Sequence, residues 1–523
     1  MIFKLVTVLF FLIPTLLFSN SPRPRWYINH FEYYGEENEA WLSEGFRETL
    51  IHNLNRLKNI EIVKQDEEAY VKKMLEEKRN ANDSIDRFKT LPSILKVDYI
   101  YDAILKNDGK VLIFTIHIRK SPDYSIYKKL HVDGRKDNIL DIQDQLIANV
   151  VNNLNIKYDS DEKKSISKGH IYFYSSFKKF SKGLISMYNK KYSEAIQTWE
   201  ELKKEDSSYT ELYELLAYAY RKQKDYKKAL YYCEEYKNGL EKRNNKKSWA
   251  YVSNLDRIAE LQLLLRNYKD AERTVKFSLM QQRDYAFEDS LQFSNSNELM
   301  ASVFEKQKKN DEALSFYELS NTLRAKIDYK DSYLYSDTLI QIADVLSKKG
   351  RFDPAIKTYE EAVEHRKKNE IYHTFNTARA YNHSGLVYNK KKDYDTSIEM
   401  FQNSNMILDK IGKQKVNLYA SNLNDIGVSL MNKADYENAI FYFKKGLALR
   451  EELKQQRTLA YAVAAYNLGD IYYRKMSEPC ESMPWLGKAA GIESSLNHPY
   501  ARQDLEYYTK VRKDCEALKT AIK

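Results

Sequence analysis

Ser176 and Lys179 stand at the S-x-x-K spacing of a serine nucleophile and its lysine base. The S-D-N and K-T-G segments that complete such a site are missing from the sequence. Carboxylate pairs such as Glu200 and Glu201 could relay a proton, but their surroundings put them on solvated helix faces. The nine histidines are scattered, and none has metal-ligand spacing with a cysteine or carboxylate partner. Phosphate loops, zinc-protease helices, nucleophile elbows and calcium loops have no counterpart. The sequence therefore predicts no catalytic residue, no metal site and no cofactor. What is left is recognition chemistry, to which asparagine side chains are suited. Asparagine offers both a donor and an acceptor, so a row of them can hold an extended peptide backbone without demanding its side chains.

The elements that must position these residues follow one ruler. Tyr226, Tyr268, Asn310, Phe352, Tyr394, Tyr436 and Glu478 succeed one another at intervals of 42, and Tyr192 precedes Tyr226 by 34. Nine residues before each mark stands a small residue: Gly183, Ala217, Ala259, Ala301, Ala343, Gly385, Gly427 and Gly469. Three after it the residue is small again in all but the last unit, and seven after it mostly large and apolar, from Trp199 to Trp485. Small residues at fixed depth let two helices approach, and the large one fills the space beside them. So strict a period means stacked copies of one unit. Polar pairs such as Lys224-Asp225 and Lys392-Asp393 mark the turn, so each unit is a helical hairpin. In the eighth unit Glu478 and Glu481 break the pattern, and Pro479 and Pro484 are expected to interrupt its second helix. Tyr500 to Lys519 is expected to cap the array.

Leu468-Gly469-Asp470-Ile471-Tyr472 fits L-G-x-x-Y, and Ala439 with Phe443 fits A-x-x-x-F. The array thus resembles tetratricopeptide repeats. Its long unit resembles the kinesin light chain type: Leu423-Asn424-Asp425-Ile426-Gly427 is similar to that type's L-N-N-L-A, and Asn497-His498-Pro499 to its connector. The resemblance covers about residues 175 to 520. It implies a mainly α fold, a tetratricopeptide solenoid of about eight helical hairpins plus a capping helix over 173–520. In that family the first helices line a concave wall, and positions two, three and six before the small residue face or border it. Here those positions include Arg379, Asn382, Asn424, Asp425 and Asn467, with Asp470 close by. The other reading is that the asparagines bond to neighbouring helices. Cys480 opens the eighth unit's second helix and Cys515 lies late in the cap. In this solenoid those ends meet on one edge, and an oxidising compartment would permit a Cys480–Cys515 disulfide. Cys233 fills the second unit's large slot and reads as a buried free thiol.

Residues 23–157 have a different texture. Strand candidates are Trp26 to Phe31, Ile60 to Val63, Val97 to Leu105, Lys110 to Ile118 and Ile126 to Val132, with a turn at Asn107-Asp108-Gly109. Ala40 to Leu57, Asp66 to Glu77 and Ile139 to Leu154 read as helices. This is a small α+β domain, expected to have its sheet on one side and its helices on the other. Glu39-Ala40-Trp41-Leu42-Ser43-Glu44-Gly45-Phe46, Leu54-Asn55-Arg56-Leu57, Val97-Asp98-Tyr99-Ile100 and Ile142-Gln143-Asp144-Gln145-Leu146 resemble the TolB N-terminal-like group, with its FlgO-like and CsgG-like relatives. That resemblance implies an envelope protein whose domain contributes contacts and no chemistry. Residues 158–172 read as a charged linker.

Met1 to about Ser19 reads as a secretory signal: Lys4, then a run from Leu5 to Phe18 too short to span a bilayer. An uncleaved anchor is the other reading. Net charge is +10 from 84 basic and 74 acidic residues, a mixture typical of solvated helix faces, and no nucleic-acid motif accompanies it. The sequence points to an exported scaffold of the periplasm or outer envelope, with a protein or peptide partner in its groove and peripheral membrane or cell-wall association as an option. It leaves the oligomeric state open. The competing readings are a structural subunit of an oligomeric envelope or secretion assembly and a cell-wall polymer-binding module.

Overall fold

The computed structural model describes residues 23–81, 92–167, 173–205, 209–243 and 245–522, so the expected leader lies outside the described residues. The N-terminal unit is a mixed sheet. β1 (Arg25–Ile28) lies between β3 (Glu61–Ile62) and β4 (Tyr99–Asn107), parallel to both, and β2 (Glu32–Tyr34) continues along the same edge of β4. β5 (Val111–Lys120) and β6 (Ser125–Arg135) follow as antiparallel neighbours, and β6 ends the sheet. The turn between β4 and β5 needs Gly109, whose φ is +96°.

The expectation of helices on one side only is corrected. Successive strand residues point to opposite faces. Trp26, Ile28 and Tyr101 share a core with α1 (Trp41–Leu54) and α3 (Ile139–Asn153). Tyr27 and Ile100 face the other way, onto Val71 and Met74 of α2 (Gln65–Asn80). That second core also contains Tyr333 and Ile371 from the repeats, so α2 is sandwiched between sheet and array. The expected linker is corrected as well. Ser160–Ser167 is helical, and Glu162 accepts the Lys58 backbone N–H at 2.7 Å, which docks the segment on the sheet domain.

Eight hairpins follow. Their helix pairs are Tyr174–Tyr188 with Tyr192–Glu205, Glu211–Lys222 with Tyr226–Lys242, Trp249–Leu264 with Tyr268–Asp284, Leu291–Lys306 with Asn310–Lys326, Tyr333–Lys348 with Phe352–Lys368, Phe375–Lys390 with Tyr394–Lys410, Asn417–Asn432 with Tyr436–Glu452, and Leu459–Asp470 with Pro479–Ser495. The ruler's first seven marks are the first residues of the second helices. First helices from repeat 3 onward start at the same interval, each capped by Ser248, Ser290, Ser332, Thr374, Val416 or Thr458. Four of those hydroxyls accept a backbone N–H of the first turn, a cap that stabilises a helix by about 1 kcal/mol. The small slots are tight: a methyl group on Gly385 would lie 2.8 Å from Phe401, and one on Gly427 2.9 Å from Phe443.

The eighth repeat is displaced, not degraded. Ile471–Lys475 forms a π turn, which inserts one residue between the two helices. The packing slots therefore fall on Ser482 and Leu486 instead of Glu481 and Trp485. Ser482 Oγ donates to the Gly469 carbonyl at 2.6 Å, as Ser397 does to Gly385 at 2.8 Å two repeats earlier. Pro479 sits in the first turn, where its missing N–H costs nothing, and the helix runs on through Pro484. Ala501–Ile522 covers this last hairpin, and Cys480 and Cys515 are joined across it, with Cα atoms 4.8 Å apart. At the other end α1 plays the same role. Phe46 packs on Phe177 with the rings tilted by 55°, and Gly45 lets the Phe177 ring and Ser181 approach the helix backbone. Cys233 is a buried free thiol, and burial pushes it up to about 12.

Candidate partner-binding groove

The residues singled out from sequence sit on the first helices of repeats 6, 7 and 8. What that wall can hold depends on what already covers it. Over repeats 2 to 6 the cover is α2. Asp66 pairs with Arg221 and Lys222 of repeat 2, and Gln65 Nε2 approaches Met187 Sδ of repeat 1. In the middle, Tyr70 donates to Asp337 Oδ2 at 2.9 Å, and Asn376 donates to both groups at 2.7 and 2.9 Å. Asp337 is itself held by the buried guanidinium of Arg366, 2.7 Å away. At the far end, Glu77 accepts the Phe375 backbone N–H at 2.8 Å and pairs with Lys413, while Asn80 reaches the Ile411 carbonyl. A charge at each end and one shared hydrogen-bond cluster fix the helix along the wall.

The turn after α1 adds a buried ion pair. Arg56 pairs with Glu211, which Arg243 also approaches at 3.2 Å. Burial alone would raise the Glu211 carboxyl, but the two guanidiniums outweigh it and hold it at about 2. Between α1, β3 and repeats 2 to 4 lies a polar cavity of about 80 Å³ lined by Arg47, His52, Lys64, Glu214 and Arg257. Burial holds the Lys64 ammonium below the usual lysine range. The cavity suits water and is far below the ~300–1,000 Å³ of an organic-ligand pocket. Ser176 is buried and Lys179 is paired with Glu205, so the S-x-x-K spacing assembles no nucleophile.

Past the contacts that Tyr70, Glu77, Asn80 and Ala81 make with repeat 6 and the loop after it, the wall is uncovered by the described residues of the sheet domain, and its polar groups divide in two. Asn382 is buried and donates to Asn422 Oδ1 at 2.7 Å, and Asn422 donates to Ser404 and Asn405. It ties repeat 6 to repeat 7. Asp470 accepts from Tyr507 of the capping helix and from Arg474, both at 2.8 Å, so it serves the end of the array. Arg379, Asn424, Asp425 and Asn467 are half-buried. Asn424 donates to Asp425 at 3.2 Å, while Asn424 Oδ1 and Arg379 Nε are buried without a partner among the described residues. Burial lifts the Asp425 carboxyl to about 6, against the opposing pull of Asn424, Arg450 and Asn382. Leu386 and Val463, exposed by 40% and 43%, lie on these same first helices. The sequence reading missed the occupancy of repeats 2 to 6, because the docking residues are single polar side chains with no period. It missed Asn422 as well, which stands two residues from Asn424 and is the inward member of the pair.

Family models described as tetratricopeptide repeat match residues 180–243, 292–368, 378–405 and 420–453. The repeat region is a tetratricopeptide solenoid. Among solved structures, the apo form of RapI matches 54% of this chain and 99% of its own at 14% identity, with a TM-score of 0.43. BtubC (BKLC) from P. vanneervenii matches 44% and 90% at 16% identity, with a TM-score of 0.38. A putative kinesin light chain repeat protein of Podosopora anserina matches 39% and 96% at 11% identity, with a TM-score of 0.35. No curated protein matches the sequence. Among the described residues no tetratricopeptide helix or other helix is long and apolar enough to cross a membrane, and no cluster of His, Cys, Asp and Glu could hold a metal ion.

Proposed function

We propose that this chain is an exported, envelope-associated scaffold that holds a protein or peptide partner against the first helices of repeats 6 to 8. The observation that supports it is the division of the wall. Among the described residues, α2 covers repeats 2 to 6 as far as Glu77 and Asn80, and further along the wall half-buried Arg379, Asn424, Asp425 and Asn467 offer donors and acceptors beside exposed Leu386 and Val463. The half-buried side chains of Arg379, Asn424 and Asn467 present donors and acceptors that can bond a peptide main chain. The order of strands and helices in residues 23–157 supports a TolB N-terminal-like docking domain as the second half of the scaffold.

Capture of crosslinked partners from the native envelope tests the groove. Replacing Arg379, Asn424 and Asn467 together by Ala is expected to cut recovery at least about tenfold, the loss of roughly 1.4 kcal/mol. Recovery at the unchanged level would place the partner elsewhere. Export has a separate readout. In the mature protein, Cys480 and Cys515 are expected in one disulfide-linked peptide under non-reducing mapping, and the chain is expected to begin near residue 20. Two free thiols together with an intact Met1 would overturn the exported reading.

A further inference from the structure

β6 is a long strand at the edge of the sheet and, among the described residues, pairs only with β5. The Lys136 backbone N–H donates to the Lys110 carbonyl at 2.9 Å, and the register from Arg135 back to Lys128 runs without a shift. Backbone groups alternate along a strand. The even residues of this stretch therefore bond to β5, and Lys129, His131 and Asp133 turn their N–H and C=O outward. Their side chains are exposed too, His131 by 60% and Asp133 by 63%. Such a row is a template for another strand.

A second β6, laid antiparallel, must pair odd residues with odd residues to satisfy those groups. A twofold axis at Lys129 or Asp133 sets identical charges face to face. An axis at Leu130 opposes Lys129 to His131, and one at Val132 opposes Lys129 to Arg135. An axis at His131 opposes Lys129 to the second copy's Asp133 twice, while Val132 on the other face stays buried in its own core. Opposite charges directly across are a favourable cross-strand arrangement. We propose that two copies of this chain join β6 to β6 about a twofold axis through His131, making one sheet continuous across both molecules. The self-complementary order Lys129–His131–Asp133 selects the second copy over an unrelated strand, because it is matched by its own reversal.

Sedimentation velocity of the full chain at up to about 300 µM, a range that captures small interfaces, tests this. A monomer–dimer equilibrium is expected. Lys129→Asp and Asp133→Lys should each weaken the dimer at least about tenfold, and the double exchange should return it to within about threefold of the original. His131→Pro should weaken it similarly while leaving the melting curve in place, since an edge residue whose N–H faces solvent accepts proline. A chain that stays monomeric throughout would mean that Lys128 and Lys129 guard the edge, and the proposal would be wrong. A dimer indifferent to all three single variants, or a double exchange no better than its parents, would also overturn it.

Discussion

Asp425 shows how burial and charge compete at one side chain. Burial lifts its carboxyl from the ordinary aspartate value to about 6, and Asn424, Arg450 and Asn382 do not cancel the effect. A carboxyl with a raised folded-state value contributes stability that is complete below its ordinary value, near 4. That stability is lost as pH rises through 6. Stability measured by urea unfolding should therefore fall between about pH 4 and pH 7. Asp425→Asn should remove most of the fall, gaining about 1–2 kcal/mol at pH 7 and nothing at pH 4. A slope identical in the two proteins would sink this account. The same stretch marks the limit of reading residues from sequence. Asn382 and Asn424 stand at the same position on the ruler, yet Asn382 is consumed by the bond to Asn422 while Asn424 Oδ1 has no partner among the described residues. Side-chain direction within one helical turn separates them, and a period of 42 does not resolve it.

Elements were the most legible level, because the repeat forces the same packing problem to be solved many times. Small and large slots, helix starts and hairpin turns all fall on the ruler. The eighth hairpin escaped it because one residue added inside a helix shifts every later slot while leaving the spacing of obvious markers nearly unchanged. A second regularity lies in the turns. The residue two before each of the first seven marks is left-handed: Lys190, Lys224, Arg266, Lys308, Lys392 and Ala434 have φ between 61° and 65°, and Gly350 has φ 72°. Only glycine adopts this region without cost. Arg266→Gly should raise stability by about 1 kcal/mol, and Gly350→Ala, whose added methyl group meets nothing within 4 Å, should lower it by about the same. Opposite shifts of the thermal midpoint would check the pair, and equal signs would contradict it.

The whole molecule has no boundary where the sequence suggested one. α1 packs on repeat 1, and one hydrophobic core runs from Trp26 through Phe177 to Leu261. Composition marks the two regions as different in kind and says nothing about whether they touch. Glu211 reports on that contact. Its carboxyl is held at about 2 by Arg56 and Arg243, so the stability it contributes is present above about pH 4.5 and lost as pH falls toward 2. Hydrogen exchange is expected to show α1 and Tyr174–Tyr188 losing protection together over that window, and Glu211→Gln should bring the loss on at neutral pH. Separate loss of the two helices would argue against a shared unit. The brace formed by α2 has a further, mechanical meaning. A solenoid is a spring, since each repeat touches only its neighbours and small rotations add along the axis. Clamping repeats 2 to 6 at Asp66, Tyr70 and Glu77 stiffens that length, so any stretching or tightening of the coil under load falls mainly on repeats 7 and 8.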